Sequence, residues 1–380
     1  MTSVLIALAL FWAALALHDL VAVRRLPRLP ASPPDTAPAT TTTRVDAVFA
    51  VRDDREDALA AASSLLAQRG VDLRVTAVDD RSTDGTRAAL AALAARAPRL
   101  RVRSVSALPE GWLGKPHALQ VGAADADAPW LLFADGDTRL CADAVARAVA
   151  AAEASGADHV CLLPAHRGTT WLGRACLLAF HLTVQRRVAQ VNARTQRGFV
   201  GTGAFTLVRT AAYRRIGGHE ALRFEVLDDV MLGALLFRAG CRSRVWLADD
   251  AFSIAWGRTP GDLVRVVRKN MFAVLRYRTW LAALAIAAGT ALPLGALLAP
   301  LWAGPSGWWP FAAYAATGVP GALLARRMGW QATAGLATPI TRLLLAYALL
   351  VSTATTLAQR GVVWRGTRYA LADLRRRMVR

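Results

Sequence analysis

Three short acidic stretches hold the residues best suited to chemistry. In LLFADGDTRL (131–140) an apolar run ends on Asp135 and Asp137, with only a glycine between them. Two carboxylates that close repel each other, yet they can lean toward one point. Hard oxygen donors of that kind suit a magnesium or manganese ion bridging a diphosphate, although Asp-Gly-Asp alone also occurs in turns. In VDDRSTDGT (78–86) a second apolar run closes on Asp79 and Asp80. Both can accept hydrogen bonds from the N–H or hydroxyl groups of a ligand, while Ser82 and Asp84 can cap the helix that follows. In LDDVMLGALLFRAG (227–240) Asp228 and Asp229 open a helical pattern. The helix dipole favours their ionised form, and they read either as an ordinary acidic helix start or as a general base acting on a hydroxyl.

Such residues need strand ends to hold them. Short apolar runs at 45–51 (VDAVFAV), 73–78, 100–105, 129–134 and 158–163 have the character of strands. Alanine-rich stretches of helical spacing lie between them, such as DALAAASSLLAQ and GTRAALAALAARA. The alternation predicts an α/β fold with a mostly parallel sheet that receives ligands at the carboxyl ends of its strands. The first strand ends in VRDDRED, which brings Arg52 to the same edge.

The chain has 380 residues, 54% of them hydrophobic, and a mean hydropathy of +0.31. That is high for a soluble protein and points to membrane segments. The formal charge of +19 is mostly arginine, crowded at the flanks of apolar runs, where a membrane surface accounts for it. No recognition motif accompanies the charge, so nucleic acid is not an expected partner. The four cysteines, Cys141, Cys161, Cys176 and Cys241, form no C-x-x-C pair and read as small buried residues.

Residues 4–23 are long enough to span a bilayer, and Arg24, Arg25 and Arg28 follow the apolar run rather than precede it. The positive-inside rule then makes residues 1–25 an anchor with its N-terminus outside and the following chain in the cytoplasm. Residues 26–43, rich in proline and threonine, read as a linker; 44–258 as the α/β domain; 259–279 as an amphipathic helix; 280–358 as a C-terminal transmembrane region; and 359–380 as a basic tail. The amphipathic helix carries Arg265 and Arg268, suited either to the membrane interface or to offsetting charge on a diphosphate leaving group. Within the C-terminal region, 280–302 and 308–325 are spanning candidates, and a run at 332–357 is interrupted by Pro339 and Arg342. If this third run crossed, the tail LADLRRRMVR would lie outside. Either the run lies in or re-enters the membrane, or the tail breaks the positive-inside rule.

With the motifs in this order, residues from about Val45 to Tyr277 resemble the family 2 glycosyltransferases, whose catalytic domain has the GT-A fold. VDDRSTDGT is similar to the family's nucleotide-binding loop, which implies that Asp79 contacts uracil. FADGDT resembles its Asp-x-Asp motif, which implies Asp137 as the metal ligand with Asp135 near the ribose and metal. GFVGTGAFTLVRTAAYRRIGG (198–218), with Gly201 and Gly203, is similar to the stretch lining the sugar pocket. LDDVMLG resembles the segment bearing the catalytic base, here Asp229 beside Asp228. PEGWLGKPHAL (109–119) and VVWRGTRY (362–369) resemble the membrane-bound subgroup acting on lipids, which includes hopanoid-associated, carotenoid and ceramide glycosyltransferases. In that comparison Lys115 is a candidate contact for the donor phosphates, joined at the donor site by Asp80 and Arg52. The Gln/Arg-x-x-Arg-Trp motif of processive synthases is present only as Arg265-Val-Val-Arg268-Lys269, without its tryptophan.

The resemblance implies an inverting, non-processive enzyme that uses Mn2+ or Mg2+ and moves a sugar from a UDP-sugar to a lipid hydroxyl. It also implies a multi-pass protein of the inner membrane with its catalytic domain in the cytoplasm. Transfer to a polyprenyl phosphate and an inactive membrane scaffold are the alternatives.

Overall fold

The computed structural model describes residues 2–31, 42–193 and 195–379, so residues 32–41 of the expected linker lie outside the described residues. The chain forms two compact units. One comprises Pro27–Ala165, Gln190–Ile254 and Arg376–Arg380; the other comprises Met1–Leu26, His166–Ala189 and Ala255–Arg375.

The first unit is built on a seven-stranded sheet: β1 (Arg44–Val51), β2 (Asp72–Asp80), β3 (Leu100–Val105), β4 (Trp130–Asp135), β5 (His159–Leu163), β6 (Phe205–Arg209) and β7 (Ser243–Leu247). The spatial order is β3-β2-β1-β4-β6-β5-β7. Neighbours run parallel except β6, which is antiparallel to both β4 and β5. Strands covered on both faces need no polar alternation, which is why WLLFA and HVCLL are buried along their whole length. The crossover helices Arg55–Leu66, Thr86–Ala94 and Gly114–Ala123 follow the first three strands. The last of these lies close to the sheet because Gly122 has no side chain: a Cβ there would come within 2.3 Å of Val48 and 2.9 Å of Val78. Register brings the strand ends level, pairing Val51 with Asp79 on one side of β1 and Ala50 with Asp135 on the other.

Cys161, Cys176 and Cys241 are buried as expected, whereas Cys141 is exposed. It follows the short edge strand Arg139–Leu140, where its backbone N–H bonds Ala251 and its thiol lies 3.2 Å from the Asp250 carbonyl.

In the second unit, three helices among the described residues are long and apolar enough to cross a membrane: Thr2–Arg24, Thr279–Leu297 and Thr338–Ala358. The run at 308–325, expected as one span, is two helices, Trp308–Ala315 and Gly318–Arg327, which pack on the N-terminal helix with Trp12 and Tyr314 4.4 Å apart. Arg327 donates to the carbonyl oxygens of Val23, Arg24 and Leu26, which ties the end of this pair to the end of the N-terminal helix. The amphipathic helix runs Pro260–Val274; Thr259 caps it by accepting from Asp262 N–H, and proline in the first turn costs no hydrogen bond. Its apolar residues Leu263 and Val267 pack against Leu177 and Ala348, and Arg265 and Arg268 stay exposed.

The two charges that interrupt apolar runs are partners. Asp19 is fully buried, with Arg186 Nε at 2.9 Å and Arg342 Nη2 at 2.8 Å. A buried ion pair adds little net stability, but removing one member strands the other. Asp19→Ala is therefore expected to cost about 3 kcal/mol, read as a lower melting temperature in detergent. Asp19→Ala combined with Arg342→Leu should cost less than Asp19→Ala alone, and an unaltered Tm in Asp19→Ala would contradict the pairing.

Candidate active site

The level ends of β2, β1 and β4 bring the acidic stretches together. Two loops close this edge: Asp53 N–H donates to Ser82 Oγ at 2.9 Å, and Thr83 N–H donates to the Asp53 carboxylate at 2.7 Å. Asp53 and Arg81 adopt left-handed backbone angles, φ 49° and 62°, to make these turns. Arg52 stays at the rim, its Nε 3.7 Å from the Asp53 carboxylate.

Asp79 is 1% exposed. Its Oδ2 lies 3.8 Å from Arg87 Nε, while its Oδ1 is buried without a hydrogen-bond partner among the described residues. An unpaired buried acceptor costs free energy, so a ligand N–H placed there would recover it. Asp80 is different. It was expected to accept from a ligand alongside Asp79, but it lies in the fork of Arg81, with Nε at 2.7 Å and Nη2 at 3.0 Å. It also packs on Gly114, where a Cβ would lie 2.6 Å from its Oδ2. Ser82 accepts from Asp53 rather than capping a helix, and Asp84 takes that task by accepting from Thr86 N–H at 3.0 Å.

Lys115 stands in the first turn of the helix Gly114–Ala123, with its Nζ 2.7 Å from Asp135 Oδ1 and 3.8 Å from Asp228 Oδ2. Burial works to lower its pKa, but the carboxylates of Asp135, Asp228 and Asp229 outweigh burial and hold it above the usual lysine value. Asp228 and Asp229 begin the helix Asp228–Arg238. Burial, then the charge of Asp228, push the Asp229 carboxyl up to about 6 against the opposing pull of Lys115. Asp137 lies half-buried in the turn after β4, which is pinned by Thr138: its N–H bonds the Asp135 carbonyl, and its hydroxyl bonds that of Ala204.

The two glycines of GFVGTGAF are spatial requirements. A Cβ on Gly201 would sit 1.8 Å from the Asp229 carbonyl oxygen, and one on Gly203 would sit 2.9 Å from Asp135 Oδ2 and 3.0 Å from Lys115 Nζ. The cluster therefore joins Lys115, Asp135, Gly201, Gly203, Asp228 and Asp229. Asp79 and Asp137 stand at the same sheet edge. Arg265 and Arg268 belong to the other unit.

Two residues not singled out in the sequence support this group. His219 and Tyr213 are buried, and the Tyr213 hydroxyl meets His219 Nδ1 at 2.9 Å and accepts from its backbone N–H at 3.0 Å. Burial first, then Lys115, lower the His219 pKa to about 3, so its ring is neutral. Lys115, Gly203, His219, Asp228 and Asp229 line one small cavity.

Buried acidic groups at the carboxyl edge of a mostly parallel sheet define an α/β domain built to receive a ligand there. Residues 51–217 match the model of glycosyl transferase family 2. Over those residues the chain carries a family 2 glycosyltransferase domain, and its sheet has the GT-A fold. Among solved structures it is similar to mannosyltransferase PcManGT from Pyrobaculum calidifontis in complex with GDP-Man and Mn2+. The identity is 20%, covering 94% of this chain and 98% of that one, with a TM-score of 0.57, a likeness of fold. A match to S. aureus TarS is weaker, at 14% identity, 61% of this chain, 40% of that chain and a TM-score of 0.38. No curated protein sequence matches the chain significantly.

Gly201→Ala is expected to destabilise the catalytic unit by about 1–3 kcal/mol, because backbone rather than a flexible side chain must give way. A melting temperature equal to the parent's would contradict the packing of this loop on Asp229.

Proposed function

We propose that the chain transfers a sugar from a UDP-sugar to a hydroxyl of a membrane lipid, with inversion at the anomeric carbon. The observation that carries this reading is the grouping of the Asp229 carboxyl, raised to about 6, with the half-buried Lys115 ammonium that pairs with Asp135 and Asp228, at the sheet edge where Asp79 Oδ1 has no partner among the described residues. One buried acceptor suits the single ring N–H of uracil, whereas guanine presents both a ring N–H and an amino group.

The donor set suits a hard divalent ion. Asp135 and Asp137 stand one residue apart, and no group of three His, Cys, Asp or Glu side chains is placed to hold a metal ion by itself among the described residues. These two carboxylates would hold the ion, being hard oxygen donors of the kind magnesium and manganese take. Bound there, Mn2+ or Mg2+ would supply charge to offset that of the departing diphosphate. Lys115 adds a fixed cation on the same side, suited to the charge that develops as the bond to the sugar breaks. Asp229 accepts the proton of the acceptor hydroxyl. A phosphate acceptor would already be an anion and would need no such base, so the environment of Asp229 favours a hydroxyl.

A multi-pass arrangement in the inner membrane, with the catalytic domain in the cytoplasm, is supported by the arginines after residue 23. Contacts of Arg327 with Val23, Arg24 and Leu26 support a return of the chain to that same side. For the third apolar run, Arg342 at its start bonds Asp19, and Ser352 accepts from Phe272 N–H of the amphipathic helix at 3.0 Å. Arg375 also bonds the Tyr277 carbonyl at 2.7 Å, just before the helix Thr279–Leu297. These contacts favour a segment that re-enters the membrane and leaves the basic tail in the cytoplasm.

The test is transfer from labelled UDP-sugars in membranes, with the lipid product identified by mass spectrometry. Asp229→Asn is expected to lower transfer by about 100-fold or more while donor binding persists, and undiminished transfer would sink the base assignment. Because the folded pKa of Asp229 is raised, its basic form is present above about 6 and is lost as pH falls through that value. The pH–rate profile should therefore fall on the acid side of about 6, and a flat profile down to pH 4 would contradict the role.

A further inference from the structure

We infer that the C-terminal residues Arg376–Val379 form a strap that sets the positions of the two loops delivering Lys115 and Asp229, which makes Arg377 and Glu225 positioning residues for transfer. The inference rests on the proposed roles of Lys115 and Asp229.

The guanidinium of Arg377 lies over the Phe224 ring at 5.0 Å. The same side chain covers Gly111, where a Cβ would sit 3.3 Å from Nη1. Val379 N–H donates to Oε1 of Glu225, whose side chain is fully buried. The Val379 side chain packs on the cluster that contains Leu119, Leu222 and Leu232. The strap thus touches residues 111 and 224–225, and these lead within a few positions to Lys115 and to Asp228 and Asp229. The two loops are also bonded to each other, Leu113 N–H to Arg223 carbonyl at 2.8 Å.

Two features make this more than a resting contact. A buried carboxylate requires donors, so Glu225 holds its segment in place only while its partners are present. A cavity of about 470 Å3, lined by Gly217, Glu220, Ala221, Arg223, Phe224 and Arg377, opens beside the segment and leaves it less packing on that side. The Arg377–Phe224 stacking accordingly carries a larger share of what fixes the loop. Small displacements of a catalytic group away from its productive position cost rate far more than they cost binding.

The experiment compares the full-length parent, Arg377→Ala, Arg377→Lys and Glu225→Gln in detergent, by transfer kinetics and by amide hydrogen exchange. For Arg377→Ala and Glu225→Gln, kcat is expected to fall about tenfold, with the donor KM within about twofold of the parent and faster exchange confined to 109–115 and 223–229. Arg377→Lys should recover most of the rate, because a cation over Phe224 is kept. Parental kcat with parental exchange in both loops would overturn the strap, as would exchange that rises throughout the sheet. Faster exchange in both loops of Arg377→Ala supports the strap even where Asp229→Asn retains transfer, an outcome that overturns the base reading alone.

Discussion

Two carboxylates pair with one half-buried ammonium and a third feels its charge, and the geometry of this unit follows from keeping them together. Lys115 lies 2.7 Å from Asp135 and 3.8 Å from Asp228, and its charge opposes the protonation that burial and mutual repulsion would impose on Asp229. Each partner comes from a different place: Lys115 from a crossover helix, Asp135 from the end of β4, Asp228 and Asp229 from a later helix. They can meet only because side chains are missing where backbones must approach. Gly122 lets the lysine helix lie on the sheet, Gly201 admits the Asp229 carbonyl, and Gly203 clears space at the Lys115–Asp135 contact. Local sequence choice, helix packing and site electrostatics are thus one constraint seen at three scales.

The strands and the acids at their ends were legible in the sequence for a physical reason. A buried parallel strand must be apolar along its length, so a polar residue closing such a run stands out, as at Asp79 and Asp135. β6 is less legible, since an antiparallel strand inserted among parallel ones has the same composition as its neighbours. Side-chain partnership was the least legible level. Asp79 and Asp80 are adjacent and chemically identical, yet Asp80 is taken by Arg81 while one Asp79 oxygen lacks a partner among the described residues. His219 and Tyr213 matter only through burial beside Lys115, which no spacing announces.

The same limit governs the apolar unit. Asp19 and Arg342 look like defects in two separate hydrophobic runs, and only tertiary structure shows that they neutralise each other across 323 residues of chain. Pro339 likewise seems to break a helix, but it stands in the first turn of Thr338–Thr341, where a missing N–H costs nothing. The run at 308–325 shows the reverse, since a composition suited to one span folds as two helices. Hydropathy identifies which segments avoid water; the pairing of their few charges decides how they are joined.

The proposed function requires the acidic edge of the sheet to bind the donor diphosphate together with an ion. Calorimetric titration of the purified chain with UDP, with and without Mn2+, tests this most directly. Saturable one-to-one UDP binding that requires the ion, vanishes with chelator and returns when Mn2+ is restored is the predicted result. UDP binding of equal affinity with and without the ion, or binding of GDP in preference to UDP, would overturn that donor site.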